Sequence, residues 1–326
     1  MRAAWYDRQG SADDVLRVGE LPDPRPGPGE VRVRLTRSGV NPGDVKKRQG
    51  WLGSTMPYPR VVPHSDGAGV IDAVGSGVAR DRIGHRVWVH GAQSYRPFGT
   101  AAEATVVPDR LAVELPDPVG DEVGAALGIP GITAHRAVFA DGPVHGRTVL
   151  VHGVLGAVGS LAAQLAAWGG ATVIGTVRSS ADLARVDADV AAQVVALDRD
   201  DPADRIRAVA PDGVNRVIEV ALSANADLDA QVVAEHAVIA AYSSPDERPR
   251  LPFWPLLFAN VTLRLLGSDD FPPEAKQQAA QDLTRAAVEG KVRVRSGNVY
   301  PLDEIAAAHL AVEAGAPGGR VLLRLR

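Results

Sequence analysis

The sequence contains no cysteine in its 326 residues. This absence excludes disulfides, thiolate nucleophiles and structural zinc sites built from cysteine. Histidine occurs at positions 64, 85, 90, 135, 145, 152, 236 and 309, and no two of these positions have the spacing of a zinc-binding helix. We therefore predict no metal site.

Long apolar segments and an excess of one charge are also missing. The formal net charge is −4, which provides no basic surface for nucleic acid or for an anionic membrane. No run reaches the roughly 18 apolar residues of a membrane helix, and the first residues lack a signal-peptide pattern. We expect a cytoplasmic protein without nucleic-acid or membrane partners. Its apolar content of 45% with only 5% aromatic residues is typical of an α/β protein.

The most informative segment is an apolar run at 149–159 that glycines interrupt. After Gly153, Gly156 and Gly159, apolar side chains continue at helical spacing through residue 169. A strand, a glycine turn and a helix point backbone N–H groups and a helix dipole at a pyrophosphate. Gly153 would allow the tight turn, Gly156 the approach to the phosphates, and Gly159 close packing of helix and strand. Because the spacing differs from the usual G-x-G-x-x-G, an ordinary strand–helix joint is the alternative.

The pattern of predicted strands and helices changes near residues 122 and 266. A chain of 326 residues is also long for one domain, so two domains are expected. The first part reads as short strands separated by glycine and proline, typical of a distorted barrel or sandwich. From about residue 122 the pattern alternates, and regular alternation indicates a mainly parallel sheet covered on both faces. The predicted helices are 122–139, 157–169, 180–186, 201–210 and 225–235, and the predicted strands are 147–153, 171–177, 193–197, 214–220 and 236–242. After about 266, two helices and a last strand at 321–325 follow.

Several motifs, in order along the chain, resemble those of one family. They are Asn41–Asp44, His64–Gly75, Gly128–Ala134, Val151–Gly159, Tyr300–Leu302 and Gly319–Leu323. Together they resemble the zinc-independent quinone oxidoreductase branch, also called zeta-crystallin-like, of the medium-chain dehydrogenase/reductase superfamily. The resemblance implies a Rossmann dinucleotide-binding domain at 123–266, inserted in a β-rich GroES-like catalytic domain at 1–122 and 267–326.

The resemblance also implies an activity. It is the NADPH-dependent transfer of hydride to a quinone or a related conjugated carbonyl acceptor, without zinc, because the metal ligands of zinc-dependent relatives are lost near Val40 and Ser65. Reduction of the carbon–carbon double bond of an enone or enal is the main alternative, and a non-catalytic NADPH-binding protein is another. Relatives often form homodimers through a sheet edge, which would bury Phe258 and Leu265.

The end of the second parallel strand bears on the choice between NADP and NAD. An NAD site of this fold normally has Asp or Glu there. Here the strand runs into Arg178, Ser179 and Ser180, which can donate to a 2′-phosphate, and no carboxylate follows to repel it. We predict a preference for NADPH. The lysine that relatives carry near Asp182 is missing, so Arg178, with Arg185, would have to compensate; otherwise Arg178 is a solvated loop residue.

The residues near the nicotinamide, where hydride transfer takes place, are predicted from the resemblance. It implies that Asn41 faces the nicotinamide, orienting the cofactor or the acceptor carbonyl, and that Thr133 contacts the carboxamide side. Lys46 could stabilise developing negative charge or deliver a proton, or it could belong to a solvated basic helix face with Lys47 and Arg48. Tyr95 could donate to an acceptor oxygen.

The resemblance extends the predicted cofactor site beyond these residues. The further predicted contacts are Ala157, Val158, Val220, Tyr242, Ser243, Ser268, Asp269 and Arg320. Asp44 and Asp66 are interpreted as structural carboxylates that accept from nearby backbone N–H groups.

Overall fold

The computed structural model describes residues 1–187, 190–315 and 319–325. The chain forms two compact units. Unit 1 comprises Met1–Pro130, Ala280–Val288 and Arg293–Arg326, and unit 2 comprises Gly131–Ala279 and Glu289–Val292. Unit 1 thus takes residues from both chain ends. The divisions at 130/131 and 279/280 lie further along the chain than the boundaries expected from the sequence, at 122/123 and 266/267.

The strands are numbered in chain order. They are β1 (Arg2–Trp5), β2 (Arg17–Glu20), β3 (Glu30–Gly39), β4 (Asp66–Val74), β5 (Arg86–Val89), β6 (Ala104–Pro108), β7 (Ala112–Glu114), β8 (Thr148–Val151), β9 (Thr172–Val177), β10 (Gln193–Ala196), β11 (Val214–Glu219), β12 (Val233–Ala241), β13 (Thr262–Leu265), β14 (Ser296–Pro301) and β15 (Arg320–Arg324).

The α-helices are numbered in the same way. They are α1 (Ala12–Val15), α2 (Pro42–Gln49), α3 (Asp121–Leu127), α4 (Ile129–Phe139), α5 (Ala157–Trp168), α6 (Pro202–Val209), α7 (Leu222–Val232), α8 (Phe253–Phe258), α9 (Pro273–Val288) and α10 (Ile305–Glu313). Within the described part of the chain, every helix is too short or too polar to span a bilayer.

Unit 1 is built on a mainly antiparallel sheet. Its strand order is β14-β15-β3-β4-β5-β7, and β6 also pairs with β3. The sequence of strand β3 favours a strand with one buried face, because Val31, Val33 and Leu35 alternate with polar residues. All three are fully buried. These side chains pack with Ile71 of β4 and Leu323 of β15 in one core. Strand β15, near the end of the chain, therefore lies between β14 and β3 in this sheet, while β1 and β2 form a separate two-stranded sheet.

Unit 2 contains a parallel sheet of order β10-β9-β8-β11-β12-β13. Its core includes Leu150, Ile174, Val217 and Ile239 from four neighbouring strands, all at most 1% exposed. Such near-continuous apolar strands are typical of a sheet buried on both faces. The first strand, β8, lies between β9 and β11, so the strand order reverses there. The predicted fold class, an α/β protein with a doubly wound Rossmann domain and a separate β-rich domain, is confirmed.

The predicted helix 122–139 is wrong in one respect, because it is two helices. Helix α3 ends at Leu127 and α4 begins at Ile129, with a turn at Gly128. The turn frees the Ile129 N–H to donate to Asp66 Oδ1 at 2.9 Å. A Cβ at Gly128 would lie 2.1 Å from the same Asp66 Oδ1, so glycine is required beside this carboxylate.

Some other elements differ from the predictions in type or in their first residue. The segment Ser180–Arg185 is a 3-10 helix rather than an α-helix. Between residues 61 and 74, Asp66–Val74 forms a continuous strand, while Val61 and Val62 make isolated bridges. Helix α7 begins at Leu222, three residues earlier than expected.

Candidate functional site

The glycine-rich turn after β8 has the geometry that its sequence predicts. Gly153 has a φ of +69°, a left-handed conformation that strongly favours glycine. The Gly156 N–H donates to the Gly153 carbonyl at 2.9 Å and closes the turn. A Cβ at Gly159 would lie 2.3 Å from that same carbonyl oxygen. Helix α5 can therefore approach the turn only because residue 159 has no side chain.

The start of helix α5 is suited to an anion. The helix runs from Ala157 to Trp168, and its N-cap, Gly156, provides no side-chain hydrogen bond to the first amides. Helix N-termini leave several backbone N–H groups without an intrahelical acceptor and carry a partial positive charge. The amides of the first turn, which include the predicted contacts Ala157 and Val158, fit a pyrophosphate. The residues present thus suit a dinucleotide.

The other predicted cofactor contacts of unit 2 follow the carboxyl ends of the parallel strands. Val220 follows β11, Tyr242 and Ser243 follow β12, and Ser268 and Asp269 come shortly after β13. In a parallel sheet these ends share one edge, which is where open α/β sheets bind ligands. The structure therefore brings these residues to the same edge as the glycine turn.

Three contacts show how closely the residues at this edge are packed. A Cβ at Gly153 would lie 3.3 Å from Val220 Cγ1, so the turn and the end of β11 are neighbours. The Tyr242 N–H donates to the Glu219 carbonyl at 3.0 Å, and Tyr242 is half-buried. The Lys276 ammonium donates to the Asp269 carbonyl at 2.7 Å.

The segment after β9 departs from the sequence prediction, because a carboxylate is present there. Asp198 Oδ1 accepts from the Ser180 N–H at 2.8 Å, and its Oδ2 accepts from the hydroxyls of Ser179 and Ser180 at 3.2 Å each. The bond from the Ser180 N–H is the largest cause that lowers the pKa of Asp198. Asp198 follows β10, which pairs in parallel with β9, so both strands deliver their next residues to one edge. The expectation that no carboxylate waits beside these serines is wrong.

The charged residues around this segment differ in their contacts. Arg178 is exposed. Arg185 forms an ion pair with Asp182 at 2.6 Å, three residues apart in the 3-10 helix. The charge of Asp182, near which the resemblance implies a lysine, is therefore balanced locally.

In unit 1, Asn41 and Arg320 belong to one buried network around Asp66. Asp66 Oδ2 accepts from Asn41 Nδ2 and from Arg320 Nη2, each at 2.8 Å, while Oδ1 accepts from the Ile129 N–H. Arg320 Nη1 donates to Asn41 Oδ1 at 2.7 Å and to the Val40 carbonyl at 2.6 Å. Because a guanidinium only donates, the Asn41 amide is held in one orientation, with its oxygen toward Arg320.

The placement of Arg320 is unlike that of a surface phosphate ligand. Arg320 is 3% exposed, and its guanidinium forms an ion pair with the fully buried carboxylate of Asp66. A Cβ at Gly39 would lie 2.4 Å from Arg320 Nη2, so glycine makes room for the guanidinium. Truncation of one partner of such a buried pair leaves an uncompensated charge.

Asp44 has the structural role expected of it. Asn41 is the N-cap of helix α2, and its N–H donates to Asp44 Oδ2 at 2.7 Å, the return bond of a capping box. Burial raises the pKa of Asp44 to about 7, although Lys47 and the Asn41 N–H oppose the shift. The carboxyl of Asp66 accepts backbone N–H in the same way, so both carboxylates act in the structure as the sequence analysis interpreted them.

The basic face predicted for helix α2 is only partly exposed. Lys46 is half-buried, with its ammonium 4.1 Å from the centre of the Trp51 ring. Lys47 donates to Gln93 Oε1 at 3.2 Å. Arg48 is fully buried and forms an ion pair with Glu313, so it is not part of a solvated face. Helix α2 reaches the core through Arg48 because α10 supplies its counter-charge.

The remaining predicted contacts lie in separate places. Tyr95 is 69% exposed with a positive φ of +55°, and its carbonyl accepts from the Tyr58 hydroxyl. Thr133 lies in α4 and is 5% exposed.

The sequence analysis missed a buried cluster of titratable side chains at the switch point of unit 2. His152, Glu219 and Asp229 place their ring nitrogen and carboxylate oxygens within 4.8 Å of one another. No short-range spacing signals such a cluster, because His152 lies before the glycine turn while Glu219 and Asp229 come from β11 and α7. Asp198 was missed for the same reason.

Comparison with known proteins agrees with this architecture. The family model for the alcohol dehydrogenase GroES-like domain matches residues 27–117, and the model for zinc-binding dehydrogenase matches residues 157–283. The chain is 31% identical to the quinone oxidoreductase of Rattus norvegicus, with 99% of this chain and 98% of the rat protein covered. It is 29% identical to the quinone oxidoreductase of Homo sapiens, with the same coverage of both chains.

Solved structures give the same result. An NAD-dependent alcohol dehydrogenase superposes with a TM-score of 0.88 at 28% identity, and a mycobacterial protein complexed with NADPH superposes with a TM-score of 0.85 at 29% identity. Both comparisons cover the whole of both chains. The chain is an oxidoreductase of the medium-chain dehydrogenase/reductase superfamily and belongs to its quinone oxidoreductase branch.

Proposed function

We propose that this enzyme is an NADPH-dependent reductase that transfers hydride to a quinone or a related conjugated carbonyl acceptor, without zinc. The observation that carries the proposal is the glycine turn of Gly153, Gly156 and Gly159 at the start of α5. It lies at the reversal of strand order in a parallel sheet. When bound, a reduced nicotinamide supplies the hydride for the reduction.

The nucleotide would be held by backbone groups and by residues at the strand ends. The amides of Ala157 and Val158 would bind the pyrophosphate, and Val220, Tyr242 and Ser243 would border the rest of the cofactor, with Thr133, Ser268 and Asp269 as further contacts. The similarity to a mycobacterial protein complexed with NADPH supports the binding of this nucleotide. For the 2′-phosphate, we propose exposed Arg178 as the donor, joined by the hydroxyl of Ser179 when it is released from Asp198.

Asn41 is the residue we propose at the reacting end. Its amide is oriented by Arg320 and Asp66, so it needs no rearrangement to present a donor. An amide nitrogen carries two hydrogens, and one of them is donated to Asp66. The other N–H would donate to the acceptor carbonyl or to the nicotinamide carboxamide. Arg320 thus serves as a positioning residue within unit 1 in this proposal.

Lys46 and Tyr95 remain secondary candidates for contact with the acceptor. The Lys46 ammonium lies over the ring of Trp51, a residue that is 48% exposed. A flat acceptor ring could replace or extend this stacking. Tyr95 is the more exposed of the two and would contribute its hydroxyl.

We propose a reaction without zinc because of the side chains present at two positions. Val40 and Ser65, near which zinc-dependent relatives hold their metal, are buried and provide neither a thiolate nor an imidazole. An acceptor that delocalises negative charge onto its own carbonyl oxygens suits a site without a Lewis acid. Treatment with a chelator should leave the activity unchanged.

We also propose that the enzyme is a homodimer. Strand β13 lies at the edge of the parallel sheet, and Leu265 on it is 71% exposed. The adjoining helix α8 exposes Phe253, Trp254 and Phe258, which are 62%, 63% and 73% exposed. An apolar patch beside an open sheet edge is the kind of surface that a second copy of the chain covers.

The function is tested by following the loss of NADPH absorbance with benzoquinones, naphthoquinones and short enones as acceptors. The proposal expects turnover of quinones, and turnover of enones alone would replace it with carbon–carbon double-bond reduction. Gly156→Asp should abolish NADPH binding, because it adds a side chain and a negative charge at the phosphate site. Gly120→Asp is the matched control, because a Cβ there meets nothing within 4 Å. Equal activity of both variants would contradict the proposed site.

A further inference from the structure

The cluster of His152, Glu219 and Asp229 adjoins the glycine turn of the proposed phosphate site, to which Thr176 connects it. His152 follows β8 and precedes the glycine turn, and Glu219 is the last residue of β11, the strand on the other side of the order reversal. Asp229 reaches them from α7. The side chain of His152 is 1% exposed, and those of Glu219 and Asp229 are fully buried.

The histidine joins the two carboxylates. Its Nε2 lies 2.9 Å from Asp229 Oδ1 and 3.6 Å from Glu219 Oε2, and its Nδ1 lies 3.0 Å from Thr176 Oγ1. The hydrogen bond to Asp229 uses the ring nitrogen that a metal ion would need. The arrangement therefore holds a proton between His152 and Asp229.

The cluster is connected to both backbone segments of the proposed cofactor site. Thr176 Oγ1 accepts from the Gly153 N–H at 3.3 Å, at the start of the glycine turn. Glu219 Oε1 accepts from the Ala221 N–H and from Asn225 Nδ2, just after Val220. A change in the charge of the cluster thus acts on groups that hold the phosphate turn and the end of β11.

The charge of the cluster is not balanced when all three groups are ionised. Two carboxylates and one imidazolium leave one buried negative charge. Glu219 Oε2 and Asp229 Oδ2 are buried and have no hydrogen-bond partner in the described part of the chain. Such oxygens are costly as charged acceptors, and one additional proton would remove the excess charge.

The electrostatic surroundings favour that proton on Glu219. Burial raises the pKa of Glu219 to about 7; the charge of His152 opposes the shift and that of Asp229 adds to it. Burial disfavours the His152 imidazolium, but Asp229 and Glu219 together raise its pKa above the ordinary value. Tyr242 also lies close enough to feel the charge of Glu219. Its pKa is raised mainly by burial and to a smaller extent by that charge, so Tyr242 remains neutral.

We propose that His152, Glu219 and Asp229 form a proton-binding site that is coupled to the dinucleotide, so that nucleotide binding draws a fraction of a proton from solvent onto the cluster. The inference rests on the proposed function for the identity of the ligand. A bound pyrophosphate brings negative charge to the backbone amides that follow His152 in the glycine turn and at the start of α5. Nearby negative charge favours the protonated form of a carboxyl group, and by linkage protonation favours the nucleotide.

Calorimetry with NADH at pH 7 measures this coupling directly. NADH is the probe because it lacks the 2′-phosphate, whose own protonation would add to the signal. Binding heats in buffers of different ionisation enthalpy give the number of protons taken up. The wild type should take up protons, and its Kd should weaken as the pH rises from 6 to 8, by at most tenfold per pH unit.

The variant Glu219→Gln separates this cluster from other groups. It keeps the shape of the side chain and an acceptor for Ala221 and Asn225, but it cannot bind or release a proton. It should bind NADH with little proton uptake and a nearly flat pH profile. Glu235→Gln is the control, since the Glu235 side chain is 71% exposed and outside the cluster; it should behave as the wild type.

The pH dependence of folding provides a second measurement that needs no nucleotide. Because the folded chain keeps a proton on Glu219 where the unfolded chain releases it, stability falls as the pH rises from about 4.5 to about 7. Asp44 contributes with the same sign. Glu219→Gln should therefore lose part of this slope in Tm, and Glu235→Gln should lose none.

The outcomes distinguish this inference from the proposed function. NADH binding by the wild type without proton uptake overturns the inference alone, as does equal uptake by Glu219→Gln. A bound metal that EDTA removes together with the proton uptake would also overturn it. Failure of the wild type to bind either NADH or NADPH at any pH overturns the proposed function, and the coupling with it. If Glu219→Gln fails to fold, the wild-type uptake and the variant Asp229→Asn decide the question.

Discussion

Asp198 is the residue whose contacts bear most directly on cofactor choice. Its carboxylate accepts from Ser179 and Ser180, the groups that would otherwise donate to a 2′-phosphate. Removal of its charge should free these donors and relieve repulsion of the phosphate. We expect Asp198→Asn to increase the kcat/KM ratio of NADPH over NADH by roughly threefold to tenfold.

The matched control for this change is Asp200→Asn, because Asp200 is also exposed and lies two residues further along the chain. Steady-state kinetics with both nucleotides give the ratio. An unchanged ratio in Asp198→Asn would show that the carboxylate does not meet the ribose end of the cofactor.

Arg178 should act in the opposite direction. If its guanidinium binds the 2′-phosphate, Arg178→Ala should increase the KM for NADPH by roughly tenfold and leave the KM for NADH nearly unchanged. Arg199→Ala, at another exposed arginine nearby, should alter neither constant. Equal effects of Arg178→Ala on both nucleotides would return Arg178 to the role of a solvated loop residue.

For individual residues, a role could be predicted from sequence where it depends on the conformation of the residue's own backbone. Gly153 and Gly159 could be predicted because a tight turn and a close helix approach need glycine at fixed spacing. Asp198 and Glu219 could not be predicted, because their partners come from other strands. The burial of Arg320 was missed as well, since the matching motif identifies the residue but not the Asp66 carboxylate that receives it.

Among the elements, the break between α3 and α4 is the one that positions the buried network of unit 1. Gly128→Ala would place a Cβ 2.1 Å from Asp66 Oδ1, where the Ile129 N–H is bound. We expect a loss of stability of about 1–3 kcal/mol, the usual cost of overpacking, measured by thermal unfolding.

Gly120→Ala is the control for this break. It lies just before α3 with a φ of −72°, and a Cβ there meets nothing within 4 Å. It should change stability little. If Gly128→Ala unfolds at the same temperature as Gly120→Ala, the break does not constrain Asp66.

The parallel sheet of unit 2 could be predicted from sequence because each strand and helix carries its own local pattern. The run 149–159 and the strand at 172–177 are apolar and bounded by turns, which suffices for a buried strand. The continuous helix predicted across Gly128 was wrong because apolar periodicity persists through the break. The reason for the break is Asp66, which lies 62 residues earlier.

For the whole molecule, the exposed apolar surface of α8 and β13 predicts the oligomeric state. Phe258→Asp combined with Leu265→Asp should convert a dimer into a monomer, because charges on a buried interface are costly to desolvate. Light scattering after gel filtration measures the mass. Ile83→Asp, at an apolar residue of unit 1 that is 49% exposed, should leave the dimer intact. A monomeric wild type would contradict the proposed dimer.

The central claim is that a reduced nicotinamide nucleotide binds at the carboxyl edge of the parallel sheet and supplies the hydride. A crystal structure of the enzyme grown with NADPH tests it most directly. The account predicts a pyrophosphate within hydrogen-bond distance of the Ala157 and Val158 amides and a 2′-phosphate beside Arg178. A nucleotide bound elsewhere, or no nucleotide at a saturating concentration, would contradict it.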